Sequence, residues 1–228
     1  RPGSSYTIGG MAKGAGMLAP ALATMLVVLT TDADVSPGVL EAALRSATAR
    51  TFERVDTDGC QSTNDTVLVL ASGASGVRPD PDEFTAALQD ACADLAAQLV
   101  ADAEGATKRI TVEVVRAASE LDALEVARAV ARNNLVKCAL GGQDPNWGRV
   151  LAAVGTTQAA FAPERVAVAI NDVWVCRDGA IGADRSLVDM TSPEVVVTVD
   201  LGAGDQTAAV WTTDLTAEYV HENSAYST

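Results

Sequence analysis

The sequence predicts an α+β fold, with mixed or antiparallel sheets layered with helices. Three observations point there. Apolar residues make up 48% of the 228, enough to bury the core of one domain or of two small packed ones. Helical and strand patterns follow one another without the regular alternation of a parallel βαβ sheet. Hairpin-like turns dominate the later part of the chain, as antiparallel sheets require.

The elements follow in order. Thr24–Thr31 is dense in Val, Leu and Thr and reads as a buried strand. Ser36 then caps a helix with Pro37 in its first turn, and Leu40, Ala43, Leu44 and Ala47 form its apolar face. Asp56-Thr57-Asp58-Gly59 is a turn, and Thr66–Ala71 a second strand. Asp80-Pro81-Asp82-Glu83 starts a long helix in capping-box style, burying Phe84, Ala87, Leu88, Ala91, Leu95 and Leu99. Lys108–Val115 alternates as a strand, with Ile110, Val112 and Val114 on one side. Ser119 opens an amphipathic helix running through Leu121, Leu124, Ala127, Ala131 and Leu135. After the turn Asp144-Pro145-Asn146 come strands at Val166–Ile170, Val173–Cys176, Val195–Val199 and Ala208–Thr212, with turns at Asn171-Asp172 and Arg177-Asp178-Gly179.

Composition excludes several function classes. The net charge of −14 argues against nucleic acid or an anionic membrane as partner, since both need a basic footprint. No apolar run reaches the ~18 residues of a membrane span, and Arg1-Pro2-Gly3-Ser4-Ser5 has no signal-peptide core. Cys60, Cys92, Cys138 and Cys176 are far apart and form no CxxC pair, so neither a zinc site nor a redox pair is expected. A reducing cytoplasm suits them, and lone cysteines in apolar surroundings are expected to be buried and inert. A single histidine, His221, rules out a histidine-cluster metal site within this chain. No metal or cofactor is expected.

The richest stretch in chemistry runs from Gly9 to Asp32. A glycine-rich, flexible run (Gly9-Gly10-Met11-Ala12-Lys13-Gly14-Ala15-Gly16) leads through Ala23-Thr24 into an apolar, β-prone segment. Such a junction can hold a hydroxyl at the mouth of a strand. Cleavage before Thr24 would give it a free α-amine with a pKa near ~8, suited to act as base for its own hydroxyl. Glycines before an apolar strand also occur in many proteins without a nucleophile, so spacing alone leaves both readings open. A phosphate-binding loop is ruled out, because Lys13 precedes its glycine and no hydroxyl follows it.

This junction resembles the self-cleavage site of the glutamate N-acetyltransferase (ornithine acetyltransferase) family of arginine biosynthesis. Four further segments, in the same order, carry the resemblance. They are Asp56-Thr57-Asp58-Gly59-Cys60-Gln61-Ser62-Thr63-Asn64-Asp65-Thr66, Glu104-Gly105-Ala106-Thr107-Lys108, Asp144-Pro145-Asn146-Trp147-Gly148-Arg149, and the tail Tyr219-Val220-His221-Glu222-Asn223-Ser224-Ala225-Tyr226-Ser227-Thr228. Asn64-Asp65 and the Asp144–Arg149 run read as ordered scaffolding, with Arg149 able to pair with a carboxylate.

The resemblance implies an N-terminal-nucleophile-like, self-cleaving acyltransferase architecture. Residues 1–23 would be the tail of an upstream subunit and 24–228 the nucleophile-bearing subunit. Thr24 would attack the Ala23 carbonyl to free itself, then carry an acetyl group from N-acetylornithine to glutamate. Lys13 would hold a substrate carboxylate and Glu104 a substrate amine. Asn223 and Thr228 would complete the site. Acetyl-CoA is a second candidate donor, and the expected assembly is a heterotetramer of two cleaved pairs in the cytoplasm. The family draws its oxyanion hole from a Thr-Gly pair far upstream, and nothing in Arg1–Ala23 matches it. Departures from the family pattern are Asn133-Asn134 for Ser-Pro, Cys138 for threonine, and Ala21-Leu22 for Asn-Met. Two other functions fit the same residues: a threonine-nucleophile amidase or aminopeptidase-like hydrolase, and a non-catalytic truncated homologue.

Overall fold

The computed structural model describes residues 5–17, 25–61 and 64–225. It divides into two compact units, residues 1–55 with 60–102, and residues 56–59 with 103–228. The boundary between Ala23 and Thr24 lies outside the described residues.

The first unit is built on a three-stranded sheet. Strands β1 (Ile8–Lys13), β2 (Leu26–Thr31) and β3 (Thr66–Ala71) lie in that order. β1 is antiparallel to β2, and β2 is parallel to β3. The glycine-rich run expected to be flexible is therefore partly strand. Gly10 has a reason to be glycine, since a Cβ there would sit 2.9 Å from Leu29 Cδ2 and 3.1 Å from Leu95 Cδ1.

Helices α1 (Pro37–Arg50) and α2 (Pro81–Ala101) complete the unit. Ser36 occupies the N-cap of α1 but makes no side-chain cap bond. The start of α2 is capped as its sequence predicts, Asp80 Oδ1 accepting from the amides of Asp82 and Glu83. Phe84, Leu88 and Leu99 are buried, together with Cys92 and Ala96. Ala87, Ala91 and Leu95 stand at the flank, half-buried. Burial pushes the Cys92 thiol up to about 11.

β2 corrects a second expectation. It is not buried on both faces: Val27, Leu29 and Thr31 are covered, while Leu26, Val28 and Thr30 are exposed. The register pairs Met11 with Val28, Val28 with Leu68, and Thr30 with Leu70. Met11, Leu26, Val28, Leu68 and Leu70 therefore share one exposed apolar face.

The second unit holds a six-stranded mixed sheet with strands β4 (Arg109–Ala117), β5 (Ala167–Ile170), β6 (Val173–Arg177), β7 (Ala180–Ile181), β8 (Glu194–Asp200) and β9 (Gln206–Thr213). Their order is β7-β6-β5-β8-β4-β9, with β4 and β8 parallel and the other neighbours antiparallel. The hairpin turns fall where the sequence puts them: Asn171, Asp172, Asp178 and Gly179 all adopt positive φ. Ile110, Val112 and Val114 point into the core with Val197, Val199 and Val210.

Four helices accompany this sheet: α3 (Glu120–Ala131), α4 (Asn134–Gly141), α5 (Trp147–Val154) and α6 (Ala217–Ala225). The helix read from Ser119 to Leu135 is in fact two. Ser119 caps α3 through the Asp122 amide, and Asn133 caps α4 through the Val136 amide. Asparagine is among the residues that cap helix N-termini well. Leu121 and Leu135, assigned to the apolar face, are 78% and 60% exposed. Asn146 accepts from the Arg149 amide and starts α5. Among the described residues Arg149 pairs with no carboxylate; its Nη1 donates to the Leu135 carbonyl at 2.8 Å. Among the described residues no helix is long and apolar enough to cross a membrane.

Candidate active site

Two of the site residues expected from sequence, Glu104 and Asn223, are 119 positions apart and meet in the second unit. Asn223 Nδ2 donates to Glu104 Oε2 at 3.2 Å and to the Tyr219 carbonyl at 2.9 Å. The second bond spans one turn of α6 and fixes the amide's orientation; the first holds it against the carboxylate. The pair presents an anion and an amide to solvent side by side. That suits an ammonium bound together with a neighbouring polar group.

Their geometry comes from the loop between α2 and β4. Gly105 has φ +63°, and a Cβ there would lie 2.3 Å from the Tyr219 amide nitrogen. Only glycine lets the loop press this closely against the start of α6. Thr216 Oγ1 donates to the Gly105 carbonyl at 2.6 Å and accepts from the Tyr219 amide at 3.0 Å. One hydroxyl therefore links loop and helix. Asp214 holds the other side of the loop, accepting from the amides of Thr107 and Lys108 at 2.9 and 3.0 Å and from Thr107 Oγ1 at 2.5 Å.

Beneath the loop lies a buried charged cluster. Asp56 is fully buried and accepts from Arg132 Nε at 2.6 Å. Burial raises its carboxyl above the ordinary value, opposed chiefly by Arg132. Tyr219 Oη donates to Asp58 Oδ2 at 3.1 Å, tying α6 to the same turn. Lys137 Nζ donates to the carbonyls of Thr57 (2.6 Å) and Thr213 and to Thr212 Oγ1 at 3.1 Å. Burial pushes this lysine down to about 8, against the pull of Asp214, Asp58 and Asp56.

Lys13 stands in the first unit, exposed at the end of β1 opposite Leu26. It shares the exposed face of that sheet with Met11. Ala23, Thr24 and Thr228 lie outside the described residues. An open cavity of about 440 Å³ at the other end of the same strands is lined by Thr7, Thr30, Asp32, Leu70 and Ser72, and by none of the expected site residues. Asp65, read from sequence as scaffolding, accepts a bond from the Met25 amide at 3.0 Å. Cys60 and Cys138 are exposed, contrary to the expectation that they are buried, whereas Cys92 and Cys176 are buried. His221 is exposed on α6. Among the described residues no three His, Cys, Asp or Glu side chains gather as metal ligands do.

The support beneath Glu104 is built from contacts distant in sequence. Nothing in local spacing signals that Asp214 reaches Thr107, or Lys137 the turn at Thr57. A weak signal was present, because Lys137 is the one charge in Leu135-Val136-Lys137-Cys138-Ala139-Leu140.

Two mixed sheets flanked by helices, with a carboxylate–amide pair held by a glycine loop, define an α+β protein. The whole chain, residues 1–228, matches the model of the ArgJ family. It is 66% identical over 228 residues to the arginine biosynthesis bifunctional protein ArgJ of Thermobifida fusca, covering 100% of this chain and 60% of that protein. With ArgJ 1 of Streptomyces clavuligerus it shares 64% over 227 residues, covering 100% and 59%. The crystal structure of the arginine biosynthesis bifunctional protein argJ from Bacillus halodurans superposes with a TM-score of 0.80 at 36% identity, over 92% of this chain and 100% of that one. The chain belongs to the ArgJ family. It spans about three-fifths of the length of the curated relatives it matches.

Proposed function

We propose that this chain carries the nucleophile of an acetyltransferase that moves the acetyl group of N-acetylornithine to glutamate. The observation that carries the reading is the Glu104–Asn223 pair, in a chain whose whole length matches the ArgJ family. The relatives are named as bifunctional proteins of arginine biosynthesis, which is in keeping with it. The hydrolase and the non-catalytic readings gain no comparable support.

The Ala23–Thr24 peptide breaks first, as Thr24 Oγ attacks the Ala23 carbonyl and water hydrolyses the resulting ester. The freed Thr24 amine then takes the proton from its own hydroxyl as the oxygen attacks the acetyl carbon of N-acetylornithine. The C–N bond breaks, the proton passes to the departing amine, and ornithine leaves. The acetyl-threonine ester accepts the glutamate amine in the reverse sense, giving N-acetylglutamate and restoring the hydroxyl. Two acyl transfers through an ester replace one direct amide-to-amine exchange. Glu104 and Asn223 grip the substrate ammonium, Lys13 a substrate carboxylate, and Thr228 completes the site. Acetyl-CoA serves as a second donor to the same threonine, and no resident cofactor takes part.

The part of the relatives that this chain does not span corresponds to an upstream subunit, of which residues 1–23 would be the tail and which would supply the oxyanion hole. The exposed face of Met11, Leu26, Val28, Leu68 and Leu70 suits its docking, since a contiguous apolar face of this kind is normally covered. Two cleaved pairs assemble into a heterotetramer in the cytoplasm.

The test is an intact-mass measurement joined to an assay with N-acetylornithine, with and without glutamate. Cleavage at Ala23–Thr24 and glutamate-dependent release of ornithine are expected. Thr24→Ala should abolish both, and Thr24→Ser should keep a measurable fraction of each. Acetyl-enzyme formed by the alanine variant would overturn the assignment, and acetate release indifferent to glutamate would favour the hydrolase.

A further inference from the structure

We propose that Asp65 is a positioning residue for the nucleophile, acting through the backbone of Met25. The proposal deepens the function above and rests on Thr24 carrying the acyl group.

Cleavage changes what holds the nucleophile in place. Once the bond before Thr24 is broken, the only covalent tether of that residue is its peptide bond to Met25. Free termini fray unless something ties them down. Yet an attacking oxygen has to be held within roughly 3–3.5 Å of its carbon, and a misplacement of about 1 Å can cost about 10²-fold in rate. Standard bond lengths place the Cα of Thr24 about 2.4 Å from the Met25 nitrogen. Whatever fixes that nitrogen reduces the free chain that carries the nucleophile to a single residue.

Three contacts fix Met25. Asp65 Oδ1 accepts from its amide at 3.0 Å. The Thr66 amide donates to its carbonyl at 3.0 Å. Its side chain is buried. The two hydrogen bonds come from consecutive residues, so both ends of Met25 are held by the entry of β3. From Leu26 onward β2 is paired on both sides, with β1 and β3. Among the described residues, the Asp65–Met25 bond is the last hold before the nucleophile.

The choice of side chain is informative. A carbonyl from a neighbouring strand would satisfy one amide with no charge to desolvate. Here a half-buried carboxylate does it, and burial raises its carboxyl above the ordinary value, with the Met25 amide pulling the other way. An ionised acceptor makes a shorter and roughly twofold stronger bond than a neutral one. A side chain 40 positions away thus holds the residue that leads into β2.

The test compares two variants in the full-length protein. Asp65→Asn keeps an oxygen that accepts from the Met25 amide, and Asp65→Ala removes it. We expect kcat, counted per folded and cleaved enzyme, to fall about 3–10-fold for Asp65→Asn and 10–100-fold for Asp65→Ala. KM for N-acetylornithine and for glutamate should stay within about twofold, because the substrate-binding groups are untouched. A merely structural role would lower the melting temperature and leave kcat per folded molecule unchanged. Wild-type kcat in Asp65→Ala, or a loss confined to KM, overturns the proposal. If Asp65→Ala does not fold, Asp65→Asn decides, and wild-type kcat there overturns it. Thr24→Ala is measured alongside. If that variant turns over, the nucleophile assignment falls and takes this proposal with it. If it is inert while the Asp65 variants match wild type, only the role of Asp65 is lost.

Discussion

Lys137→Met is the perturbation that most directly tests the support beneath the site. Lys137 is 3% exposed and its ammonium donates to Thr57 O, Thr213 O and Thr212 Oγ1. Methionine keeps the length and apolar character of the stem but removes all three donors. It also removes the cation that faces Asp56, Asp58 and Asp214. Removing one partner of a buried charge cluster typically costs about 3–5 kcal/mol, because the groups left behind are neither solvated nor paired. We expect a loss of that size at pH 7.

The pH dependence gives the sharper result. Burial lowers Lys137 from 10.5 to about 8, so in that interval the unfolded chain holds a proton that the folded chain has released. Stability contributed by this group therefore rises with pH from about 8 to 10.5. At about 1.4 kcal/mol for each tenfold change, wild type should gain about 2–3 kcal/mol between pH 7 and pH 10, and the methionine variant should lack that gain. The gap between the two should widen accordingly, while every other titration common to both cancels. Urea unfolding followed by tryptophan fluorescence reads the right unit, because Trp147, Trp174 and Trp211 all belong to the second one. A gap that stays constant from pH 7 to pH 10 would refute the argument that burial dominates the titration of Lys137.

Two further outcomes are expected. Lys13→Ala and Glu104→Ala should raise KM while leaving cleavage at Ala23–Thr24 intact; a solvated surface charge would be worth only about 0–1 kcal/mol, whereas an anchoring charge in a desolvated complex is worth roughly 2–5 kcal/mol, so steady-state kinetics separates the two. The 228-residue chain expressed alone should be inactive and should bind a hydrophobic dye at the Met11–Val28–Leu68 face, with turnover restored by adding the upstream segment; full specific activity from the isolated chain would place an oxyanion hole within it.

Much of the fold was legible because its signals are local. Asp80-Pro81 announces α2, and the Asn171-Asp172 and Asp178-Gly179 turns announce the hairpins through residues that tolerate positive φ. Where the reading failed, the deciding contacts were distant in sequence. β1 looks like a flexible run because glycine is a poor strand former, yet pairing with β2 and the approach of Leu95 to Gly10 make it strand. The break between α3 and α4 was hidden by Leu135, which continues the apolar period but faces solvent once Asn133 restarts the helix. α6 has no buried residue to give it a period, and is defined instead by Thr216, Gly105 and Asp58.

The site shows the same division between what a motif carries and what only folding assembles. Glu104 and Asn223 were each found inside a matched segment, and the structure adds the 3.2 Å contact between them. The reason they meet lies in residues that no motif singled out for this task. Asp214 closes the loop from one side, Thr216 from the other, and Gly105 permits the approach. Asp58 and Lys137 then fix α6 and the end of β9 to one turn. A substitution at Asp214 should therefore act on substrate binding although its carboxylate is 2% exposed and turned away from solvent. If Glu104 grips a substrate amine as proposed, its binding strength depends on the charged cluster below it, because a half-buried carboxylate discriminates between substrates only as well as its loop is held.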